Sequence, residues 1–332
     1  MCRIWLLVKI ACLWAHGVNA AESSSAVGEF SPVKHFSESL TASSAHGCIV
    51  AITVSGNDNG RPCVVIVSHS PSAPKSECLD ITDETNDSES VVLSSRQSDG
   101  PLSSSLYLLN NGQTIMGMTG FAPDVQHVFK CAAQATMQYC HLVDSHGNDS
   151  KSMPLKKLVV QKVSRQLQRA CLTSNGRPFG VQAVLVGSGD RHPFRPQIYT
   201  VDTAGGWNHW RSGMTAIGRN AKSVRQSLFK ESSSMSENDK HLKSPATWDN
   251  ALDLAIKCVL DSIFSKEDLV AMLGDSETSG KKLPEISRQF KAVILDPFNQ
   301  NESTCFVVGA KHIAMRCHEV ILQLQEMKKA TK

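Results

Sequence analysis

The chain has 332 residues, of which 41% are hydrophobic and 20% are charged. That length suits one large domain with insertions or two smaller ones, and the hydrophobic content is sufficient for a sizeable core. The 34 basic and 31 acidic residues leave a net charge of only +3, which argues against a dedicated binder of nucleic acid or another polyanion. No run of about 20 uncharged apolar residues occurs, so the sequence predicts no membrane-spanning helix.

The cysteines and the N-terminus give conflicting indications of the compartment. Eleven cysteines are scattered singly without a Cys-x-x-Cys pair, which predicts buried free thiols in a reducing compartment. Residues 1–20, however, carry Arg3, an apolar run broken by Lys9 and a small-residue ending, which is typical of a secretory signal peptide. The alternative is an N-terminal extension or a wrongly assigned start codon. Glycosylation triplets at Asn86, Asn148 and Asn301 do not decide between a reducing and a secretory compartment, because such triplets arise often by chance.

The first half of the chain predicts strands followed by helices. Phe36, Leu40 and residues 42–45 indicate a short amphipathic helix, of weak propensity because it is rich in serine. Two hairpins follow, separated by a polar insertion at residues 70–105. The hairpins pair Cys48–Val54 with residues 62–68 and Leu106–Leu109 with residues 114–118. Apolar spacing then predicts one helix that begins near Asp124 and a second that begins at Pro154.

The second half predicts four strands, two helices, a hairpin and a last helix. The strands are expected at 179–186, 197–201, 207–210 and 214–217, with a turn at Gly205 and Gly206. A helix is expected from Gly218 through Phe229, followed by a polar insertion at 231–246. Amphipathic helices are expected at Trp248–Ile263 and at 311–328. Between these two helices, Phe290–Leu295 and 305–308 are expected to form a hairpin. Helices grouped between runs of strands imply an α+β fold, with antiparallel sheets sandwiched between helical layers, over residues 21–328.

The segment Arg177-Pro178-Phe179-Gly180, placed where a predicted helix gives way to a strand, resembles a motif of proteasome α-type subunits. Further segments resemble the same family in the same order, over roughly residues 29–68 and 105–328. They are Phe30-Ser31-Pro32 and Glu38 around the first helix, Pro123-Asp124 at a strand-to-helix junction, Asp202 to Gly205 at a turn, and residues 214–218 ending in Gly218. The resemblance implies the four-layer αββα sandwich of the N-terminal-nucleophile hydrolase fold.

Each signature residue also has a purely structural interpretation. Arg177 could be an ordinary surface cation, and Pro178 and Gly180 could simply fix a tight helix-to-strand turn. Gly218 favours a sharp strand-to-helix turn over a phosphate cradle, because its surroundings are not rich in glycine.

The sequence offers one candidate nucleophile. In catalytic relatives of this fold the nucleophile is an N-terminal Thr, Ser or Cys freed by cleavage, and cleavage after Gly47 would expose Cys48. The family's aspartate and lysine would fall near Val64 and Asp80, however, and neither residue type matches. The chain lacks HExxH and G-x-S-x-G motifs, and residues 144–149 lack the ligand order of an EF-hand. We therefore expect no catalytic residue, no cofactor and no metal.

The resemblance implies a non-catalytic structural subunit of the α ring of the 20S core, acting in assembly, gating and ubiquitin-dependent protein catabolism. Its partners would be other α subunits, β subunits and a regulatory particle or activator. The first helix would line the ring, and the helix near Asp124 would face the catalytic ring. The family's cytoplasmic and nuclear location conflicts with the candidate signal at residues 1–20. A Cys48 hydrolase and a diverged secreted binding protein on the same fold are the alternatives.

Departures from the family pattern concern the gate and the activator pocket. A Tyr-Asp pair ahead of Phe30 is missing, Ser39 replaces a tyrosine, and only Pro32 remains of that gate cluster. The lysine that receives activator carboxylates would sit near Ser105 or Leu106, and its absence removes a charge-assisted contact. We therefore expect weak activator docking and an atypical gate.

Overall fold

The computed structural model of the chain describes residues 32–45, 47–55, 62–71, 100–110, 112–146, 155, 159–172, 177–188, 196–234, 245, 247–264, 286–296 and 305–330. The candidate signal segment, the three glycosylation triplets, Phe30, Ser31 and most of the two predicted insertions lie outside these residues. Two compact units are distinguished, Met1–Pro32 and Val33–Lys332, and the elements below lie in the second except for Pro32 itself.

The described residues form eleven strands and six helices. The strands are β1 Cys48–Val54, β2 Cys63–His69, β3 Gly100–Pro101, β4 Leu106–Leu109, β5 Thr114–Gly120, β6 Val181–Ser188, β7 Pro196–Val201, β8 Trp207–His209, β9 Met214–Gly218, β10 Phe290–Leu295 and β11 Cys305–Val307. The helices are α1 Pro32–Ala45, α2 Ala122–His146, α3 Gln161–Leu172, α4 Ala221–Ser234, α5 Trp248–Ile263 and α6 Ala310–Ala330. Within the described residues, no helix is long and apolar enough to cross a membrane.

The strands form two antiparallel sheets. One sheet has the order β11-β10-β2-β1-β9 and the other has the order β3-β4-β5-β6-β7-β8. One apolar cluster lies between the first sheet and helices α4, α5 and α6, and a second lies between the other sheet and helices α2 and α3. A third cluster lies between the two sheets. The layers therefore run helix, sheet, sheet, helix, and the predicted α+β sandwich of antiparallel sheets is confirmed.

Strand β1 shows how the sequence produces this layering. Successive side chains of a strand point to opposite faces. Val50 and Ile52 therefore join the cluster under the helices, whereas Ile49 and Ala51 join the cluster between the sheets. All four are at most 1% exposed. A strand that is buried on both faces needs a nearly continuous apolar run, because each fully buried aliphatic side chain contributes about 1.5–3 kcal/mol relative to exposure.

Several element boundaries differ from the predictions. The last residues of the predicted insertion at 70–105 are part of the sheet, since β3 pairs with β4 and the Leu106 carbonyl accepts from the Leu102 amide at 2.8 Å. Helix α4 continues past Phe229 to Ser234, so residues 231–234 of the second predicted insertion are helical. Pro154, where the second helix is predicted to begin, lies outside the described residues; Leu155 is helical and buried, and the α-helix runs from Gln161 to Leu172. Helix α5 has the predicted bounds and begins at an N-cap, where Thr247 Oγ1 accepts from the Asn250 amide.

Candidate functional site

Several strand ends meet at one end of the sandwich. Cys48, the first residue of β1, pairs with His69 at the end of β2 and with Gly218 at the end of β9. In the other sheet, Gly120 at the end of β5 pairs with Val181 at the start of β6. Most of the described signature residues lie at this end.

Asp124 and Arg177 form the central contact there. Arg177 Nη1 donates to Asp124 Oδ2 and Arg177 Nη2 donates to Asp124 Oδ1, both at 2.7 Å. The Gly180 amide donates to Asp124 Oδ2 at 2.9 Å. Asp124 is 3% exposed, whereas the Arg177 side chain is 50% exposed. Three donors thus compensate a buried carboxylate, and the hydrogen bond to Asp124 raises the pKa of Arg177.

The position of Asp124 on the helix adds to this compensation. Asp124 lies in the first turn of α2, where its own amide donates to the Phe121 carbonyl at 2.9 Å. A carboxylate is favoured there by the positive end of the helix dipole. The Arg177 guanidinium also lies 5.5 Å from the ring centre of Phe121. Arg177 therefore joins the start of α2 to the segment before β6, which an isolated surface cation would not do.

Helix α1 packs on the same segment. Ser39 Oγ donates to the Pro178 carbonyl at 2.9 Å in a buried contact. A Cβ atom at Gly180 would lie 3.2 Å from Ala42 Cβ and 3.3 Å from the Ser39 carbonyl oxygen. Glycine at position 180 therefore permits the close approach of α1. Phe179 is half-buried, and its ring lies 5.2 Å from that of His127 on α2.

Gln182 extends the junction from α1 to the other sheet. Its Nε2 donates to Ser43 Oγ at 3.1 Å, and its Oε1 accepts from the Gly218 amide at 3.2 Å. Gly218 has a φ of 87°, and a Cβ atom there would lie 2.2 Å from the Gly47 carbonyl oxygen. We did not predict a role for Gln182. The signal that could have found it is a single amide side chain within the apolar strand β6.

Gly205 lies away from this junction, in the turn between β7 and β8. Its carbonyl accepts from Ser164 Oγ of α3 at 2.5 Å, and its φ is 77°. Asp202 Oδ1 accepts from the Gly206 amide at 2.7 Å and closes the turn. The contacts of Gly205 therefore fix α3 on the sheet.

Helix α1 exposes two large apolar side chains. Phe36 and Leu40 lie one helical turn apart and are 37% and 45% exposed, whereas Ser39 and Ser43 face the protein. A helix on the surface of a monomer normally turns its apolar stripe toward its own core. Exposed apolar side chains grouped on one face indicate an interaction surface. Glu38 is exposed on the same helix, and Pro32 is its first residue.

The candidate nucleophile Cys48 is enclosed. It is 1% exposed and lies in the apolar cluster under α4, α5 and α6. Burial raises the pKa of its thiol to about 12, against a smaller opposing effect of Arg225. Such a thiol stays protonated near neutral pH and is a poor nucleophile. Val64, at the position of the family's aspartate, is buried in β2, and Asp80 lies outside the described residues.

A second group of charged side chains joins α5 to α6. Arg316 Nη2 donates to Asp253 Oδ2 at 2.5 Å, and Arg316 Nη1 donates to Glu319 Oε2 at 2.7 Å. His312 Nε2 lies 2.9 Å from Asp249 Oδ1. Neither here nor elsewhere in the described residues do three or more His, Cys, Asp or Glu side chains form a group that could hold a metal ion.

The comparisons with known proteins agree with this geometry. The proteasome subunit family model matches residues 103–270, which is half of the chain. Proteasome subunit alpha type-8 of Mus musculus is 37% identical over 101 residues, which are 30% of this chain and 35% of that protein. Proteasome subunit alpha type-7-like of Macaca fascicularis is 36% identical over 103 residues, again 30% of this chain and 35% of that protein. Proteasome subunit alpha type-7 of Trypanosoma brucei brucei is 28% identical over 116 residues, 35% of this chain and 41% of that protein.

The chain thus spans little more than a third of the length of the curated relatives that it matches. Two antiparallel sheets between two helical layers define an α+β sandwich. With that fold and half of its length matched by the family model, the chain belongs to the proteasome subunit family. The matched relatives are α-type subunits, and within the family the chain is a divergent α-type member.

Proposed function

We propose that the chain is a non-catalytic subunit of the α ring of the 20S core, assembled with neighbouring α and β subunits. The observation that carries this proposal is the attachment of α1 beside the start of β1. Ser39 bonds to Pro178, and Ser43 bonds to Gln182, whose Oε1 accepts from the amide of Gly218. Gly218 is the cross-strand neighbour of Cys48. A helix that is built into the fold at this point differs from a propeptide that is discarded to free a nucleophile.

The state of Cys48 supports the absence of catalysis. An N-terminal nucleophile must be reachable by substrate and able to lose its proton. The Cys48 thiol is buried under three helices, and its pKa is about 12. A mature chain that begins at Cys48, detected by mass spectrometry, would instead establish the hydrolase alternative.

The exposed apolar side chains of α1 support assembly into a ring. Phe36 and Leu40 leave large apolar side chains partly exposed on α1. A permanent interface between subunits would remove this surface from water, which is the usual use of such a patch. The occupant that we propose is a neighbouring α subunit.

We extend the proposal to gating and ubiquitin-dependent protein catabolism in the cytoplasm and nucleus. The seven cysteines whose side chains the structure describes are all free thiols, which suits a reducing compartment. By the resemblance, the lysine that receives activator carboxylates would sit near Ser105 or Leu106, and neither of these side chains can supply the charge. Activator peptides should therefore bind weakly. Ser105→Lys should strengthen binding, whereas Ser104→Lys at the exposed neighbour should not; equal affinities would reject the alignment at this pocket.

Native size fractionation tests the central proposal. The tagged full-length chain should migrate with a large particle that contains other proteasome subunits. The double variant Phe36→Ser/Leu40→Ser should shift the chain toward the free pool. Met315→Ser/Leu322→Ser, which changes two exposed apolar residues of α6, is the matched control and should stay with the particle. A wild-type chain found only as a free monomer would overturn the proposal.

A further inference from the structure

The segment between β2 and β3 is strongly acidic. Residues 72–99, which lie outside the described part of the chain, contain seven acidic and two basic residues, a net charge of −5. Six of the acids fall between residues 77 and 89, where neither lysine nor arginine occurs. Since the whole chain has a net charge of +3, subtracting −5 leaves +8 for the remaining residues. The near-neutral total thus hides an acidic segment within a basic protein.

Three exposed cations lie near the point where this segment leaves β2. They are Arg219, two residues before α4, Lys222 in the first turn of α4, and Arg288, two residues before β10. We call these three residues the cationic patch. Within the described residues none of the three forms an ion pair, whereas Lys257 and Arg316 of α5 and α6 both bind carboxylates. The patch therefore has positive charge available for a partner.

Arg288 is tied to the end of β2 by its neighbour Gln289. The Ser70 amide donates to the Gln289 carbonyl at 2.9 Å. His69 Nε2 also lies 3.1 Å from Gln289 Oε1. The last residues before the acidic segment are thus bonded to the residue that follows Arg288.

Arg219 reaches the same place through Gly47. The Arg219 amide donates to the Gly47 carbonyl at 2.7 Å, and a Cβ atom at Gly47 would clash with the carbonyl oxygen of His69. Burial is the main cause of the lowered pKa of His69, and the charge of Arg219 adds to it, which places that cation near the end of β2. Lys222 follows three residues later on α4. The cationic patch therefore surrounds the start of the acidic segment.

The length of the segment favours docking within one chain. The segment has 28 residues and is anchored at Pro71 and at Gly100. A flexible chain of this length spans about 30 Å on average, which keeps its carboxylates at a high effective concentration beside the patch. Exposed ion pairs are individually weak, but several of them formed without loss of translational freedom favour a docked state.

We propose that the acidic segment 72–99 docks on the cationic patch of its own chain. Six clustered acids exceed the three cations of the patch, so docking reverses the charge at this end of the sandwich. Gly47, which contacts the patch, follows α1 directly, so the reversal takes place beside α1. Acidic segments of other proteins would be repelled there and could bind only by displacing the docked segment.

Zero-length carbodiimide crosslinking tests the docking on the purified full-length chain. Lys222 is the one amine of the patch and should join to an acid between residues 77 and 89. The variant Arg219→Gln/Arg288→Gln keeps Lys222 reactive and should lower the yield about fivefold, as loss of two complementary charges predicts. The matched control Arg165→Gln/Arg211→Gln removes two exposed arginines elsewhere and should leave the yield unchanged. Equal yields from the two double variants would overturn the inference.

Isotope mixing separates docking within one chain from docking between copies. In a mixture of ¹⁵N-labelled and unlabelled chains, the crosslinked peptides should be uniformly labelled or uniformly unlabelled. Crosslinks found mainly between labelled and unlabelled peptides, or to another protein, would overturn the inference. Because the purified chain suffices, none of these outcomes depends on membership of the ring.

Binding of poly-L-glutamate gives a second measurement that does not use the crosslink. Changing the six clustered acids to amides should uncover the patch and tighten binding about tenfold, because an intramolecular competitor is removed. That variant is Glu77→Gln/Asp80→Asn/Asp83→Asn/Glu84→Gln/Asp87→Asn/Glu89→Gln. The gain should disappear when Arg219→Gln/Arg288→Gln is added. A gain that survives this addition, or no gain at all, would contradict docking on the cationic patch.

Discussion

Arg177 donates from both of its Nη atoms to Asp124, a residue 53 positions earlier in the chain. The pair fastens the first turn of α2 to the segment that leads into β6, and the Gly180 amide completes the set of donors to the carboxylate. The Arg-Pro-Phe-Gly motif thus supplies three donor groups, from its first and last residues, to one buried acid. A motif that looks like a turn signal in the sequence is also half of a long-range contact.

Removal of the Arg177 side chain should destabilise the fold. In Arg177→Ala the buried Asp124 carboxylate keeps one described hydrogen bond, the one that the Gly180 amide donates. We expect the free energy of unfolding to fall by about 2 kcal/mol, less than for a fully buried pair because Arg177 is half exposed. Arg177→Lys should lose less stability than Arg177→Ala but should not reach the wild-type value, since an ammonium group cannot donate two parallel hydrogen bonds to the carboxylate. Urea denaturation measures both, with the exposed Arg211→Ala as control; an equal effect at 177 and 211 would show that the pair is not structural.

Gly180 should tolerate a side chain poorly. In Gly180→Ala the new methyl group would press on Ala42 and Ser39, and overpacking of this kind costs about 1–3 kcal/mol. Gly309→Ala is the matched control, because a Cβ atom there meets nothing within 4 Å. Limited proteolysis should cut α1 of the Gly180→Ala chain faster. The second change Ala42→Gly should restore resistance in part, and a failure to do so would argue against contact between α1 and Gly180.

The sequence predicted those features that depend on local periodicity. Strand β1 and helix α5 carry long apolar patterns, and both have the predicted bounds. The contacts of the junction could not be predicted in this way. The hydrogen bonds between Asp124 and Arg177 and between Gln182 and Ser43 produce no periodic pattern in the sequence, because each depends on how distant segments pack together. Helix α1 shows a further limit: the spacing of Phe36 and Leu40 indicates an apolar stripe but not whether it faces its own core.

Asp253 should make stability depend on pH. Burial raises its pKa from the ordinary 3.8 to about 6, and Arg316 opposes this rise while Glu319 and Asp249 add to it. Between these values the folded chain holds a proton that the unfolded chain has lost. The contribution of Asp253 is therefore full below about pH 4 and is lost as pH rises through 6. The stability of the wild type relative to Asp253→Asn should fall by about 2–3 kcal/mol from pH 4 to pH 7, at 1.36 kcal/mol per pKa unit.

Denaturation at a series of pH values tests this for the two chains side by side. Other titrating groups are common to both. One is His69, whose lowered pKa acts in the opposite direction, since its contribution is present above about 6.5 and is lost as pH falls. A relative stability that rises with pH would mean that the ion pair with Arg316 outweighs burial.

The cysteines should differ in reactivity in an order set by burial. Cys48, Cys63, Cys258, Cys305 and Cys317 are buried, and burial raises the pKa of each to about 12. Cys131 and Cys171 are half-buried, and burial raises their pKa values as well. Because the thiolate is the species that reacts, iodoacetamide at pH 8 should modify Cys131 and Cys171 first among these seven cysteines. Mass-spectrometric mapping of the native chain against a urea-unfolded sample measures the order.

Cys48 is the decisive position in that map. A fold that uses it as a nucleophile would show fast modification of Cys48 in the native chain, ahead of the half-buried thiols. A fold that uses it as a core residue protects it until global unfolding, so its modification rate should track the unfolding equilibrium. Cys48→Ala should then lower stability, because a buried group is lost from the cluster under α4, α5 and α6. Fast native modification of Cys48, with unchanged stability of Cys48→Ala, would contradict the structural role and favour the hydrolase alternative.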